Sequence, residues 1–92
     1  MKKAIKVVIN GIVQEVFFRA FLKEKADLLG IRGFVRNLEN KDVEAYFEGD
    51  NEQIEKMMDF TRQGPPHSVI KRVDVIDEKY TGEYKGFNIL RF

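Results

Sequence analysis

The chain has 92 residues, with 16 Lys and Arg against 15 Asp and Glu, one His and no Cys. A chain of this length supports one hydrophobic core, and 43% hydrophobic residues are enough for a two-layer unit without staples. The absence of Cys excludes a disulfide framework, a thiolate nucleophile and a Cys-type zinc site, and a single His excludes a His-cluster metal site. A net charge of +1 gives little electrostatic footprint for nucleic acid, so no nucleic-acid partner is expected. No apolar run approaches the roughly 18 residues of a membrane span, and Lys6 interrupts the apolar start before a signal-peptide core forms. The expectation is a cytoplasmic protein with no membrane association, whose chemistry uses Arg, Lys, amides, hydroxyls and carboxylates.

In chain order, Ala4 to Asn10 is rich in Ile and Val and closes at Gly11, which predicts a largely buried strand. From Arg19 to Leu29, Phe18, Leu22, Ala26 and Leu29 form an amphipathic helical stripe, and Gly30 sits where a left-handed cap is wanted. Gly33–Leu38 and Val43–Glu48 flank Glu39-Asn40-Lys41-Asp42, a turn-like segment, and predict a hairpin. In its second arm Val43, Ala45 and Phe47 alternate with Glu44, Tyr46 and Glu48, predicting one buried and one wet face. Asp50 with Gln53 suits a capping box, and Ile54, Met57, Met58 and Thr61 continue a second helical stripe until Gly64-Pro65-Pro66 stops it. A further strand is predicted around Val69 to Val75, and a short last one from Phe87 to Phe92 with Phe87, Ile89 and Arg91 on one face. This order predicts an α+β sandwich of ferredoxin-like βαββαβ plan, an antiparallel sheet of four to five strands with both helices on one face.

The fold plan alone carries no function. The informative segment is Asn10 to Arg19, where the first strand turns into the first helix. Backbone N–H groups at such a helix start have no intrahelical partner and the helix dipole favours an anion there, phosphate above all. Arg19 opens the helix at that mouth, although the same dipole disfavours a cation, and its planar fork can clasp two oxygens of one phosphate. On its own, Asn37 reads equally well as a strand-end turn residue or as an amide donor to a ligand. His67 reads as a surface loop residue.

Gly11-x-Val13-Gln14-x-Val16-x-Phe18-Arg19, then Ala26-x-x-Leu29-Gly30-x-x-Gly33-x-Val35-x-Asn37, Val43-Glu44, Glu48-Gly49, Gly64-Pro65-Pro66 and Phe87-x-Ile89, together strongly resemble the acylphosphatase family across essentially the whole chain. The resemblance implies one domain over 1–92 that hydrolyses the carboxyl-phosphate bond of acyl phosphates, with no metal, cofactor or covalent intermediate. It implies that the loop amides of Gln14, Glu15, Val16, Phe17, Phe18 and Arg19, with the Arg19 guanidinium, cradle the phosphate, and that Asn37 orients the attacking water. The implied partners are a small acyl phosphate and inorganic phosphate as product and inhibitor. The chemistry fits, since an activated substrate with a carboxylate leaving group needs water placed in line and phosphoryl charge neutralised rather than a strong base.

Two positions depart from the family's pattern. Glu15 stands where the family almost always has glycine; at about 6 Å and an effective dielectric near 20, its carboxylate would repel an anion by about 3 kcal/mol, while a side chain turned to solvent would be screened. Reduced or altered activity, rather than loss, is the expectation. Phe17 stands where the family often has a small residue, and its ring either shields the site or joins the core. Two other readings fit the same fold plan: a non-catalytic anion-binding or regulatory domain, for which Glu15 argues, and an RNA-binding module, for which the short run Arg32-Gly33-Phe34-Val35 argues.

Overall fold

Alternation along the first strand decides which side of the sheet becomes the core. The computed structural model describes residues 1–14 and 17–91. In β1 (Lys2–Ile12), Ile5, Val7 and Ile9 are buried on one face, where they meet α1 (Phe18–Leu29) and α2 (Asn51–Gln63). The other strands are β2 (Arg32–Asn37), β3 (Val43–Asp50), β4 (Val69–Glu78) and β5 (Phe87–Leu90), and they lie in the order β4-β1-β3-β2-β5. Val35, Ala45, Phe47 and Phe87 complete the sheet side of the core, against Phe18, Leu22 and Ala26 of α1 and Ile54, Met57 and Met58 of α2. Burying each of the larger side chains contributes about 1.5–3 kcal/mol.

The expected antiparallel arrangement holds for the first four strands, while β5 pairs parallel with β2, in the register Gly33↔Phe87 to Arg36↔Leu90. The reason is topological. β4 and β5 occupy opposite edges, so the chain leaves the end of β4 and crosses below β1, β3 and β2 before it re-enters the sheet in the direction of β2. The ferredoxin-like plan with two helices on one face is thus present, with a mixed five-stranded sheet. The observed strands extend the predicted ones at β1, which reaches Ile12, and at β4, which reaches Glu78.

That crossover also corrects the predicted wet face of β3. Tyr46 is 7% exposed and Glu48 1% exposed, although both alternate with the core residues Ala45 and Phe47. Tyr84 from the crossover packs at 5.0 Å between ring centroids on Tyr46, which stacks on Phe34 at 5.8 Å. The Glu48 Oε2 atom accepts hydrogen bonds from the Tyr46 hydroxyl (2.7 Å), the Thr81 N–H (2.8 Å) and the Thr81 hydroxyl (2.9 Å). A strand face that alternation marks as solvated here anchors a loop 33 positions further along the chain, and only the tertiary path buries it.

Helix ends divide in the same way. Gly30 takes the left-handed conformation at φ 70°, and the Ile31 N–H donates to Ala26 O at 2.8 Å, so the predicted cap of α1 forms. The capping box predicted for Asp50 and Gln53 does not form. Asp50 occupies the cap position without a side-chain hydrogen bond to the helix and instead pairs with Lys2 across the strands at 3.2 Å, and Gln53 Oε1 is buried with no partner among the described residues.

Candidate active site

The end of the sheet away from the crossover gathers the residues singled out by sequence. A β-bulge falls between Asn10 and Gly11, where a side chain is impossible: at φ 146° a Cβ on Gly11 would lie 1.9 Å from the Val69 carbonyl oxygen. The bulge turns the chain out of β1 toward α1. Of the predicted cradle, Gln14, Phe17, Phe18 and Arg19 are described; Glu15 and Val16 lie outside the described residues, as does Phe92 of the predicted last strand.

Phe17 holds the N-cap position of α1. Its carbonyl oxygen accepts the Phe21 N–H at 2.9 Å, the first intrahelical bond, so the N–H groups of Phe18, Arg19 and Ala20 have no intrahelical acceptor. A capping side chain would ordinarily take one of them, but Phe17 has no polar atom to offer and the first turn contains no acidic residue. Among the described residues no side chain caps this positive end, and the Arg19 cation stands on it. Among the described residues no carboxylate forms an ion pair with Arg19.

Two cavities, of about 400 and 340 Å³, open at this end and share Arg19 and Arg91. Gln14, Phe17 and Ala20 line the first, and Asn37 lines the second. Arg19 and Asn37, eighteen positions apart in sequence, thus face one space. Asn37 ends β2, paired with Val43, and its side-chain oxygen is buried with no hydrogen-bond partner among the described residues. A buried amide oxygen without a partner costs about 1–3 kcal/mol, a cost that a bound donor would offset.

Gln14 performs a role that sequence reading did not assign. Its Nε2 donates to the carbonyl oxygens of Leu38 at 2.9 Å and Asp42 at 2.7 Å, tying the loop before α1 to the turn after Asn37. Both amide hydrogens are engaged, so any contact of Gln14 with an anion falls to its backbone N–H. Asp42 reinforces the tie, because its carboxylate accepts from Asn10 at 2.8 Å and from Asn40 at 3.2 Å. Arg91 is the other omission: the sequence places it on the face of Phe87 and Ile89 but gives it no part, and the parallel pairing of β5 with β2 brings it beside Arg19. His67 is exposed in the turn before β4, as expected.

Comparison with known proteins places this fold in a family. A small α+β sandwich with a five-stranded mixed sheet and both helices on one face is the class that the fold defines. The acylphosphatase family model matches residues 5–89. The chain is 44% identical to the acylphosphatase of Syntrophus aciditrophicus over 90 residues, 98% of this chain and 94% of that protein. The acylphosphatase structure from Bacillus subtilis superposes with a TM-score of 0.93 at 25% identity, covering 99% of this chain and 100% of that one. The acylphosphatase from Coxiella burnetii gives 0.91 at 30% identity, covering 97% and 93%. The chain belongs to the acylphosphatase family, enzymes whose function is the hydrolysis of acyl phosphates.

Proposed function

We propose that Arg19, Asn37 and the amides at the start of α1 carry out this hydrolysis directly on the phosphoryl group. The observation that carries the proposal is the buried oxygen of Asn37, unpartnered among the described residues, in a space shared with Arg19 at a helix start that none of those residues caps with a side chain. The phosphoryl oxygens are held by the Arg19 fork and by the N–H groups at the helix start, which neutralise charge as it moves onto them. Asn37 accepts a hydrogen bond from the nucleophilic water and holds it in line with the scissile bond. Attack of the water oxygen on phosphorus breaks the bond to the acyl oxygen, the electron pair leaves on the carboxylate, and the water's proton passes to a phosphoryl oxygen of the substrate. The products are carboxylate and inorganic phosphate. Because the leaving group is already a weak base, no general acid is needed.

The same reading has inorganic phosphate competing for the cradle, and takes the 1–92 segment as one domain acting on small acyl phosphates in the cytoplasm without a nucleic-acid partner. Net charge +1 supports the last point.

The test is hydrolysis of benzoyl phosphate by the purified protein. Asn37→Ala is expected to lower kcat about 10²–10³-fold, as loss of a transition-state amide does elsewhere, with KM nearly unchanged. Inorganic phosphate is expected to inhibit competitively in both proteins. Equal kcat in the variant removes Asn37 from the mechanism, and noncompetitive inhibition places the phosphate elsewhere.

A further inference from the structure

Phe17 and Phe18 are neighbours in sequence and opposites in placement. Phe18 is 1% exposed and packs in the core, where its ring edge would lie 3.3 Å from a Cβ built on Gly64. Phe17 is 89% exposed. Of the two roles open to a bulky residue at this position, joining the core is therefore the one it does not take. Capping does not account for it either, since Phe17 sits at the N-cap of α1 with no polar atom for the free N–H groups. Neither packing nor helix termination explains an aromatic ring here, and a ring of this size left in water is unfavourable.

Its position supplies the missing reason. Phe17 lines the same cavity of about 400 Å³ as Arg19, with Ala20 and Ile89 adding apolar wall. A phosphoryl group on Arg19 leaves the acyl end of the substrate to meet this wall. Polar side chains at the cavity, Gln14, Arg19 and Arg91, either serve the adjoining turn or carry positive charge suited to the phosphate. The exposed ring is the one large apolar surface among the residues lining that cavity that offers a face to a second aromatic group.

We infer that Phe17 forms an acyl-group subsite that favours aromatic and bulky apolar acyl phosphates over acetyl phosphate. The inference rests on the phosphate being held at Arg19 as proposed above. The subsite acts through its side chain, whereas the cradle at this position uses only the backbone, so the two are separable by comparing substrates that differ in the acyl group alone.

The experiment measures kcat/KM for benzoyl and acetyl phosphate in the native protein, Phe17→Ala and Phe17→Tyr. In parallel, calorimetry gives the affinities of benzylphosphonate and methylphosphonate, which need no turnover. For Phe17→Ala the benzoyl-to-acetyl ratio of kcat/KM is expected to fall about 3- to 10-fold, the worth of one aromatic contact, and the benzyl-to-methyl affinity ratio to fall similarly. Phe17→Tyr keeps the ring and is expected to keep both ratios. Any general effect of the substitution on the cradle weakens both members of each pair and cancels. Unchanged ratios in Phe17→Ala overturn the subsite. Should the phosphonate ratio fall while the native protein hydrolyses neither acyl phosphate, the subsite stands and the hydrolytic reading fails; hydrolysis with unchanged ratios is the reverse case.

Discussion

The two ends of the central strands put buried polar groups to different use. At one end, Glu48 is 1% exposed and its Oε2 accepts three hydrogen bonds from Tyr46 and Thr81, all groups of the chain itself, while its Oε1 is buried without a hydrogen-bond partner among the described residues. At the other end, among the described residues, the Asn37 oxygen is buried with no partner, and Arg19 stands on a helix start with neither a side-chain cap nor an ion pair. Five register steps along β2, from Arg32↔Glu48 to Asn37↔Val43, separate them, about 17 Å. Hydrogen-bonding capacity filled by the chain stabilises the fold, while capacity left open is a cost to the fold that a ligand can repay. The difference predicts which substitutions strike activity and which strike stability.

Arg19→Gln is the largest separation of the two. Kinetics with benzoyl phosphate are expected to show a loss of about 10³–10⁵-fold in kcat/KM, in line with other arginines that stabilise a transferring phosphoryl group. Denaturant unfolding of the same variant is expected to show no loss of stability, and a gain of up to about 1 kcal/mol, because a cation is removed from a positive helix end. A variant that loses stability in proportion to activity would mean that Arg19 is a structural residue, and the contrast between the two ends would collapse.

Glu48→Gln probes the closed end. Burial pushes the Glu48 carboxyl up, but the N–H groups of Thr81 and Gly82 and the hydroxyls of Tyr46 and Thr81 outweigh it and hold the group below the ordinary carboxylate range. A carboxylate whose folded value is depressed contributes stability above its unfolded value, near 4.3, and loses it as pH falls through the folded one. The variant is therefore expected to cost about 1.5–3 kcal/mol at neutral pH, the worth of hydrogen bonds to a charged group, and to approach the native protein below about pH 4. Tyr46 behaves in the opposite sense. Burial and the Glu48 carboxylate raise its hydroxyl, so its contribution persists at low pH and fades as pH climbs past the ordinary tyrosine value. Hydrolysis, some 17 Å away by strand geometry, is expected to change less than about twofold in Glu48→Gln. A larger change would couple the ends.

The same contrast marks what the sequence could convey. Helix stripes, the Gly30 cap and the strand-to-helix motif are local patterns, and each appears in the fold where the pattern puts it. The motif also brought Arg19 and Asn37 to attention, and both line one space. What alternation along β3 could not convey was the burial of Tyr46 and Glu48, because the covering loop enters from the far edge of the sheet. Arg91 escaped notice for a related reason, since only the parallel pairing of β5 with β2 sets it beside Arg19. Gln14 enters the sequence reading only as one of the loop amides, because the two carbonyl partners of its side chain belong to a turn more than twenty positions away. A capping box was legible at Asp50 and Gln53 and did not form, because Lys2 on the neighbouring strand competes for Asp50.

The smallest expected effect tests whether the open end holds strain as well as unfilled polar groups. Lys41, in the turn that follows Asn37, has φ 79°, a left-handed conformation that costs a residue with a side chain about 1–2 kcal/mol. Glycine at that position relieves the strain but enlarges the unfolded ensemble, which removes about 0.4–1 kcal/mol of the gain. Lys41→Gly is thus expected to stabilise by roughly 0.5–1 kcal/mol in denaturant unfolding. Its kinetic consequence discriminates further. The turn is held by the Lys41 N–H bond to Leu38 O at 3.2 Å and by the Gln14 and Asp42 contacts, none of which involves the Lys41 side chain. If those contacts alone set the position of Asn37, kcat remains as in the native protein while stability rises. If kcat falls as the strain is relieved, the strained turn itself holds Asn37 on the water, and part of the cost borne at the open end serves the reaction rather than the fold.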